Sequence, residues 1–80
     1  MGGMSKDKSK YDKLYKQLGA NIRKARKSRR ISQEELAFRI SSARNYIGCI
    51  ERAEKAPSIA IISDIANALN IKIQDLFKEV

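Results

Sequence analysis

Apolar residues recur at helical intervals along most of the chain. Between residues 11 and 30 they fall at Leu14, Leu18, Ile22 and Ala25. Intervals of four, four and three residues place these side chains on one side of a helix, and lysines and arginines cover the opposite side. A first helix is therefore predicted, ending close to residue 30.

A second helix is predicted to begin at Ser32, because Ser32 and Glu35 have the spacing of a capping box. Two acidic residues in its first turn suit the positive end of the helix dipole. The apolar residues assigned to its buried side are Leu36, Ala37 and Ile40. The adjoining Ser41–Ser42 interrupts the apolar pattern, and either serine can cap a third helix.

The third helix is expected to run to about Ala53, with Ile47 and Ile50 on its inner side. A proline soon after prevents its continuation, and Ser58 is a suitable cap for a fourth helix, which Asn70 can end. The residues expected to face inward from the fourth helix are Ile59, Ile62, Ile65, Ala66 and Leu69. A last short helix is assigned the apolar residues Ile73, Leu76, Phe77 and Val80.

These elements predict an all-α bundle of about five short helices in a single domain. A tight turn separates the second and third helices, which is the helix-turn-helix arrangement. Residues 1–10 contain Gly, Ser and Lys without a periodic apolar residue. We expect them to form a flexible basic arm, with residues 1–3 as a cloning remnant, ahead of a folded domain over residues 11–80.

The net charge of +8 suggests nucleic acid or an anionic membrane surface as a partner. The charge is uneven, since residues 1–30 contain eleven of the seventeen basic residues and two of the nine acidic ones. The remaining fifty residues are nearly neutral. Basicity therefore belongs to the arm and the first helix, and it does not identify the segment that would read a sequence.

Residue types exclude several classes of function. With one cysteine and no histidine, the chain has no internal disulfide and no set of ligands for structural zinc. No acid–base, nucleophilic or glycine-rich phosphate-binding constellation is recognisable, so no enzymatic activity, cofactor or small-molecule ligand is expected. The sequence has neither a run of about 20 apolar residues nor a signal-peptide pattern, which predicts a cytoplasmic location and no membrane partner.

Residues 32–58 resemble the Cro/repressor-type helix-turn-helix family, the phage-repressor-like regulators. The matching text is ISQEELAFRI–SSARNYIGCIERAEKAPS, with an S-Q-x-x-L-A start, an R-x-Y-I segment, an I-E-R end and a following P-S. The resemblance extends over roughly residues 14–78 and implies a lambda-repressor-like fold. The run R-N-Y-I-x-x-I-E-R is also similar to the controller proteins of restriction–modification systems. The chain departs from the family pattern at Ser41 and Ala53, where glycine is usual, and at Ser42 and Ala43.

The resemblance implies that the third helix lies in the major groove of double-stranded DNA and that Arg44 and Asn45 meet base edges. Arginine pairs with guanine and asparagine with adenine. A phosphate contact or a solvated charge is the alternative for Arg44. Gly48 and Cys49 are expected one turn further along the outward face, where small residues would let the helix approach the bases. The alternatives are tolerant surface positions and, for Cys49, a redox sensor.

Four residues are expected at the DNA backbone. Gln33 resembles the family's phosphate-gripping glutamine, although an ordinary helix-start residue would fit as well. The hydroxyl of Tyr46 can reach a phosphate, or its ring can belong to the core. Arg39 and Lys55 are weaker candidates. The lysines of the arm and early first helix, Lys10, Lys13 and Lys16, supply general attraction to phosphates.

Arg26 and Glu51 match an arginine–glutamate pair that lies inside the fold of this family. The resemblance therefore assigns both residues to structure.

The predicted function is that of a sequence-specific DNA-binding transcriptional regulator, a repressor or controller that binds a near-palindromic operator as a homodimer. The dimer surface is expected among Ile61, Ile73, Phe77 and Val80, which could equally be ordinary core residues. The alternatives are an antitoxin or other protein-interaction module with the same fold, and membrane-surface binding by the first helix.

Overall fold

The computed structural model describes the backbone of residues 2–80 and the side chains of residues 10–80. Within this part of the chain the regular elements are all helical, which confirms the predicted all-α class. Four α-helices precede one 3₁₀ helix. Their bounds are α1 Gly2–Ser28, α2 Gln33–Arg39, α3 Arg44–Glu51, α4 Ile59–Ala68 and the 3₁₀ helix Ile73–Phe77.

Helix α1 is longer than the apolar pattern predicts. Its backbone begins at Gly2, so residues 2–10 continue the helix where the sequence predicts a flexible arm. The side chains of residues 1–9, which include the suggested remnant at residues 1–3, lie outside the described part, and the mobility of the arm stays a prediction. The end of α1 at Ser28 agrees with the sequence, because Arg30 takes a left-handed conformation with φ of 58°.

Two predicted helix starts are confirmed. The Ser32 hydroxyl accepts a hydrogen bond of 3.0 Å from the backbone N–H of Glu35, and the Ser58 hydroxyl accepts one of 3.2 Å from Ile61. The reciprocal half of the capping box is absent among the described contacts, so that prediction is wrong. The Glu35 carboxylate accepts instead from Arg39, one turn along the exposed side of α2.

The predicted serine cap of α3 is also wrong. The residue at the N-cap is Ala43, which has no side-chain acceptor to offer. Ser41 cannot serve because it adopts φ of 55°, the left-handed turn that ends α2, whereas an N-cap residue needs extended backbone. Helix α3 then ends at Glu51 rather than near Ala53, because Ala53 has φ of 61° and turns the chain away. Asn70, with φ of 57°, ends α4 as predicted.

The hydrophobic core lies where the inner faces of the helices meet. It consists of Leu18, Ile22, Leu36, Ala37, Ile47, Ile50, Ile62, Ile65, Ala66, Leu69 and Leu76. The inward assignment of Ile59 is wrong, since its position in the first turn of α4 leaves it 66% exposed. Among the described residues, none of the helices combines the length and the apolar character that a membrane span requires.

Candidate nucleic-acid interface

The inner side of α3 is fixed against α1 and α2. The side chains of Ile47 and Ile50 are essentially inaccessible. Gly19 of α1 lies directly against the backbone at the end of α3, because a Cβ built there would stand 2.5 Å from the Ile50 carbonyl oxygen and 2.7 Å from that of Glu51. Only a residue without a side chain permits this approach. The position of α3 is therefore set by direct contact with the backbone of α1.

A buried ion pair strengthens the same junction. Arg26 donates from Nε to Glu51 Oε2 at 2.7 Å and from Nη2 to Glu51 Oε1 at 3.0 Å. Its third nitrogen, Nη1, donates to the Ile31 carbonyl at 2.9 Å. The two side chains are 9% and 2% exposed. The structure thus brings together the two residues that the sequence assigns to an internal pair, and connects them to the segment before α2.

Gln33 joins this pair. Its Nε2 donates to Glu51 Oε1 at 3.1 Å, so the first residue of α2 is hydrogen-bonded to the last residue of α3. This contact was not expected from the sequence, which assigns Gln33 to a phosphate. The amide is only partly buried, and a contact between Gln33 and phosphate stays a prediction.

The N-terminal end of α3 is exposed. Arg44 and Asn45 are its first two residues, and both are accessible. Neither has a side-chain hydrogen bond or an ion pair with another described residue. Their polar groups are therefore available to a ligand that approaches this end of the helix, which is the arrangement that reading of base edges requires.

Gly48 and Cys49 follow one turn later. The expectation that Gly48 is exposed is wrong, because the Arg52 side chain covers it. A Cβ added to Gly48 would stand 3.0 Å from Arg52 Nη1. Cys49 is partly exposed, and its Sγ accepts a long contact of 3.9 Å from Arg52 Nη2. Base contacts by Gly48 and Cys49 stay predictions.

Arg52 and Glu54 form a second ion pair, which sequence reasoning missed. Arg52 Nε and Nη2 donate to the two Glu54 carboxylate oxygens at 2.9 and 3.1 Å. Residues two apart do not face each other on a helix. The pair forms because the left-handed conformation of Ala53 turns the chain after α3, so that the Glu54 side chain faces Arg52. The hydrogen bond from Arg52 lowers the pKa of the Glu54 carboxyl below its ordinary value.

The other residues predicted to contact the DNA backbone have different surroundings. Tyr46 is half-buried and packs against the core. Arg39 is drawn toward α4, since its Nη1 donates to the Ala68 carbonyl at 3.0 Å while its Nε pairs with Glu35 at 2.9 Å. Lys55 is exposed in the loop after α3. Unlike Arg39, Lys55 has no ion pair with another described residue.

Phe38 is an accessible residue that the sequence analysis did not single out. It lies on α2 and is 79% exposed, more than Ile59 or any other large apolar side chain described. Its position two residues after Leu36 places it on the side of the helix opposite the buried residues.

Several known proteins have sequences similar to that of this chain. The Helix-turn-helix family matches residues 22–76. The chain is 32% identical over 62 residues to the immunity repressor protein of Bacillus phage phi105, covering 78% of this chain and 43% of that protein. It therefore spans less than half the length of that repressor. It is 36% identical over 59 residues to the control protein C.SmaI of Serratia marcescens, covering 74% of this chain and 70% of that protein.

A similar fold has been solved. The crystal structure of the restriction-modification controller protein C.AhdI from Aeromonas hydrophila matches with a TM-score of 0.78 and 36% sequence identity. The match covers 84% of this chain and all of that one. The family match includes α2, the turn and α3, which are the elements that present Arg44 and Asn45. The protein therefore belongs to the helix-turn-helix family of DNA-binding transcriptional regulators.

Proposed function

We propose that this protein regulates transcription by binding specific double-stranded sites through the exposed N-terminal end of α3. The proposal includes a near-palindromic operator and a homodimer that places one copy of α3 in each half-site. In dimers of helix-turn-helix proteins, half-sites lie about one DNA turn, ~34 Å, apart. The similarity to an immunity repressor and to restriction-modification controllers favours a repressor or controller over an enzyme.

One observation carries the proposal. Arg44 and Asn45 are exposed and have no polar partner among the described residues, while the rest of α3 is held by buried contacts. Because α3 is already fixed, binding restricts these two side chains but not the backbone, and no internal polar contact has to be broken first. The strongly basic first thirty residues add attraction to phosphates that does not depend on sequence.

Selection of bound sequences from random DNA, followed by Arg44→Ala, tests the proposal. We expect the wild type to select a recurring sequence. Arg44→Ala should relax the preference at one position of each half-site, with a loss of about 1–3 kcal/mol against the preferred base. The matched control is Arg23→Ala, which removes an exposed charge from α1. It should weaken binding to all sequences equally and reduce the salt dependence.

Two results would contradict the proposal. The first is the absence of any selected sequence from a folded wild-type protein. The second is an effect of Arg44→Ala that is identical to the effect of Arg23→Ala, which would reduce Arg44 to a general phosphate contact.

The dimer surface that we propose differs from the predicted one. Ile61, Ile73 and Phe77 pack against the core as half-buried residues. Ile59 and Val80 are the large apolar side chains that stay exposed in the C-terminal half, at 66% and 48%. Ile59→Asp should therefore raise the dissociation constant of the dimer in sedimentation experiments and leave the melting temperature nearly unchanged. A monomeric wild type at all concentrations, with and without DNA, would overturn the dimer.

A protein-interaction module is the second candidate function, and the exposure of Phe38 favours it. Phe38 is 79% exposed, and aromatic side chains are enriched in the contact surfaces of protein–protein complexes. This candidate gains support over the first one if the folded wild type selects no DNA sequence.

A further inference from the structure

The outer face of α3 carries a second guanidinium, and it is held in one position. Arg44, Gly48 and Arg52 are four residues apart in turn, so they follow one another along the same side of the helix. The Arg52 side chain does not extend away from the end of α3. It folds back by about one turn, since its Nη1 would be 3.0 Å from a Cβ at Gly48 and its Cζ 3.7 Å.

Glu54 accounts for this position. The carboxylate binds Nε and Nη2, and Nη2 also approaches Cys49 Sγ at 3.9 Å. Nη1 is the nitrogen of this guanidinium that has no hydrogen-bond acceptor among the described residues. It is also the nitrogen that lies closest to Gly48, in the middle of the outer face. Glycine at residue 48 leaves room for the guanidinium, although alanine has the higher helix propensity.

We propose that Arg52 is a further specificity-determining residue for DNA and that Glu54 is its positioning residue. In this arrangement Glu54 fixes the guanidinium over Gly48, and Nη1 donates to an acceptor on a base edge beside the base that Arg44 reads. The inference rests on the proposed function, because it requires α3 to lie in the major groove. Fixing a long side chain before binding reduces the conformational freedom lost on binding.

For a substitution of Glu54, the proposal predicts a different effect on DNA binding from the one that its charge alone would produce. An acidic residue beside DNA repels phosphates, so its removal ordinarily increases affinity for every sequence. If Glu54 positions Arg52, Glu54→Gln must instead lower the preference for the selected site over random DNA. An exposed ion pair contributes little to folding, so the melting temperature of this variant should stay close to that of the wild type.

The experiment measures the dissociation constants for the selected site and for a scrambled duplex at one fixed salt concentration. The proteins compared are the wild type, Glu54→Gln, Arg52→Lys and the matched control Glu34→Gln. Glu34 is an exposed glutamate in the first turn of α2, and no described residue pairs with its side chain. Both glutamine variants remove one negative charge, so any difference between them reflects position.

We expect Glu54→Gln to lower the ratio of specific to non-specific affinity about fivefold, the lower end of what a well-oriented arginine–base contact contributes. Glu34→Gln should leave the ratio unchanged while both affinities rise. Arg52→Lys should lower the ratio at least as much as Glu54→Gln, because an ammonium group cannot reproduce the planar fork. The loss should fall at one base position of each half-site.

Three results would overturn the inference. The first is a specificity ratio for Glu54→Gln that equals the ratio for Glu34→Gln, and the second is a wild-type ratio for Arg52→Lys. A loss spread equally over all sequences would show that Arg52 binds phosphate instead. Failure of the wild type to select any site would remove the proposed function itself, and this outcome is visible before any variant is made.

Discussion

Two arginine–glutamate pairs meet at the end of helix α3, and they have similar geometry and opposite surroundings. The inner pair, Arg26–Glu51, has bonds of 2.7 and 3.0 Å, and its side chains are 9% and 2% exposed. The outer pair, Arg52–Glu54, has bonds of 2.9 and 3.1 Å, and its side chains are 58% and 54% exposed. Burial, not bond length, is therefore what distinguishes the two pairs.

Each pair is accompanied by a glycine, and the two glycines also differ. Gly19 faces backbone carbonyls of α3, which cannot move without shifting the helix. Gly48 faces the end of the Arg52 side chain, which can rotate away. The inner side of α3 thus contacts backbone, and the outer side contacts a side chain that an exposed ion pair holds in place. A substitution on the outer side can displace that side chain without moving the helix.

Glu51→Ala should have the largest effect on stability. It leaves the Arg26 guanidinium buried without its carboxylate and removes the partner of Gln33, so we expect a loss of about 3–5 kcal/mol in the free energy of unfolding. A domain of this size has little stability to spare, and the variant should be largely unfolded by circular dichroism at room temperature. Glu54→Ala is the matched outer variant and should melt within a few degrees of the wild type. Equal melting temperatures for the two variants would refute the distinction.

Gly19→Ala should come next. Its methyl group would stand 2.5 Å from the Ile50 carbonyl oxygen, so α1 and α3 must separate. Overpacking of this kind typically costs about 1–3 kcal/mol, and we expect the upper part of that range because the obstacle is backbone. Gly48→Ala, the control, should be neutral or stabilising by up to about 1 kcal/mol in urea unfolding. A destabilisation of similar size in both variants would contradict the contrast between a backbone neighbour and a side-chain neighbour.

Arg26→Lys should have a smaller effect that still separates the two pairs. Lysine keeps the charge but cannot donate at once to both Glu51 oxygens and to the Ile31 carbonyl. Loss of one charge-assisted hydrogen bond in a buried site should cost about 1.5–3 kcal/mol, measured by chemical denaturation. Arg52→Lys should leave the free energy of unfolding nearly unchanged, because its pair is exposed. A greater loss of stability in Arg52→Lys than in Arg26→Lys would contradict this expectation.

The smallest effect concerns pH. Arg52 holds the pKa of Glu54 below its ordinary value in the folded protein. A lowered pKa means that the pair stabilises the fold at neutral pH, and that this contribution disappears as the pH falls through the folded-state pKa. Arg52→Gln should return the pKa of Glu54 toward its ordinary value, which carboxyl NMR titration can follow. An unchanged Glu54 titration in that variant would mean that the pair is not formed in solution.

The sequence predicted the fold class and most of the helices because these follow from local signals. The spacing of Leu18 and Ile22 and the caps Ser32 and Ser58 are visible without tertiary information. The start of α3 was not predicted correctly, since it depends on the left-handed turn at Ser41 rather than on a capping side chain. Ile59 was assigned to the core because a helical pattern cannot distinguish the first turn of a helix from its middle.

The predictable part of the site consists of the residues that the family resemblance identifies one by one. The resemblance led to Arg44, Asn45 and the Arg26–Glu51 pair. It could not reveal that Arg52 covers Gly48, because this contact depends on the direction of the chain after α3 ends. No spacing rule gives that direction, and it follows only from the left-handed backbone of Ala53.

That backbone feature recurs at every helix end of the protein. The residues with positive φ are Arg30, Ser41, Ala53, Asn70 and Glu79, and none is a glycine. A left-handed conformation costs an ordinary L-residue about 1–2 kcal/mol, a penalty that glycine avoids in exchange for a more flexible unfolded chain. Replacement by glycine at Arg30, which follows α1, would relieve that strain outside the turn and outside α3. The protein therefore has room to gain heat tolerance without altering which DNA it prefers, so adaptation to temperature and adaptation to a new operator can proceed along separate mutational routes.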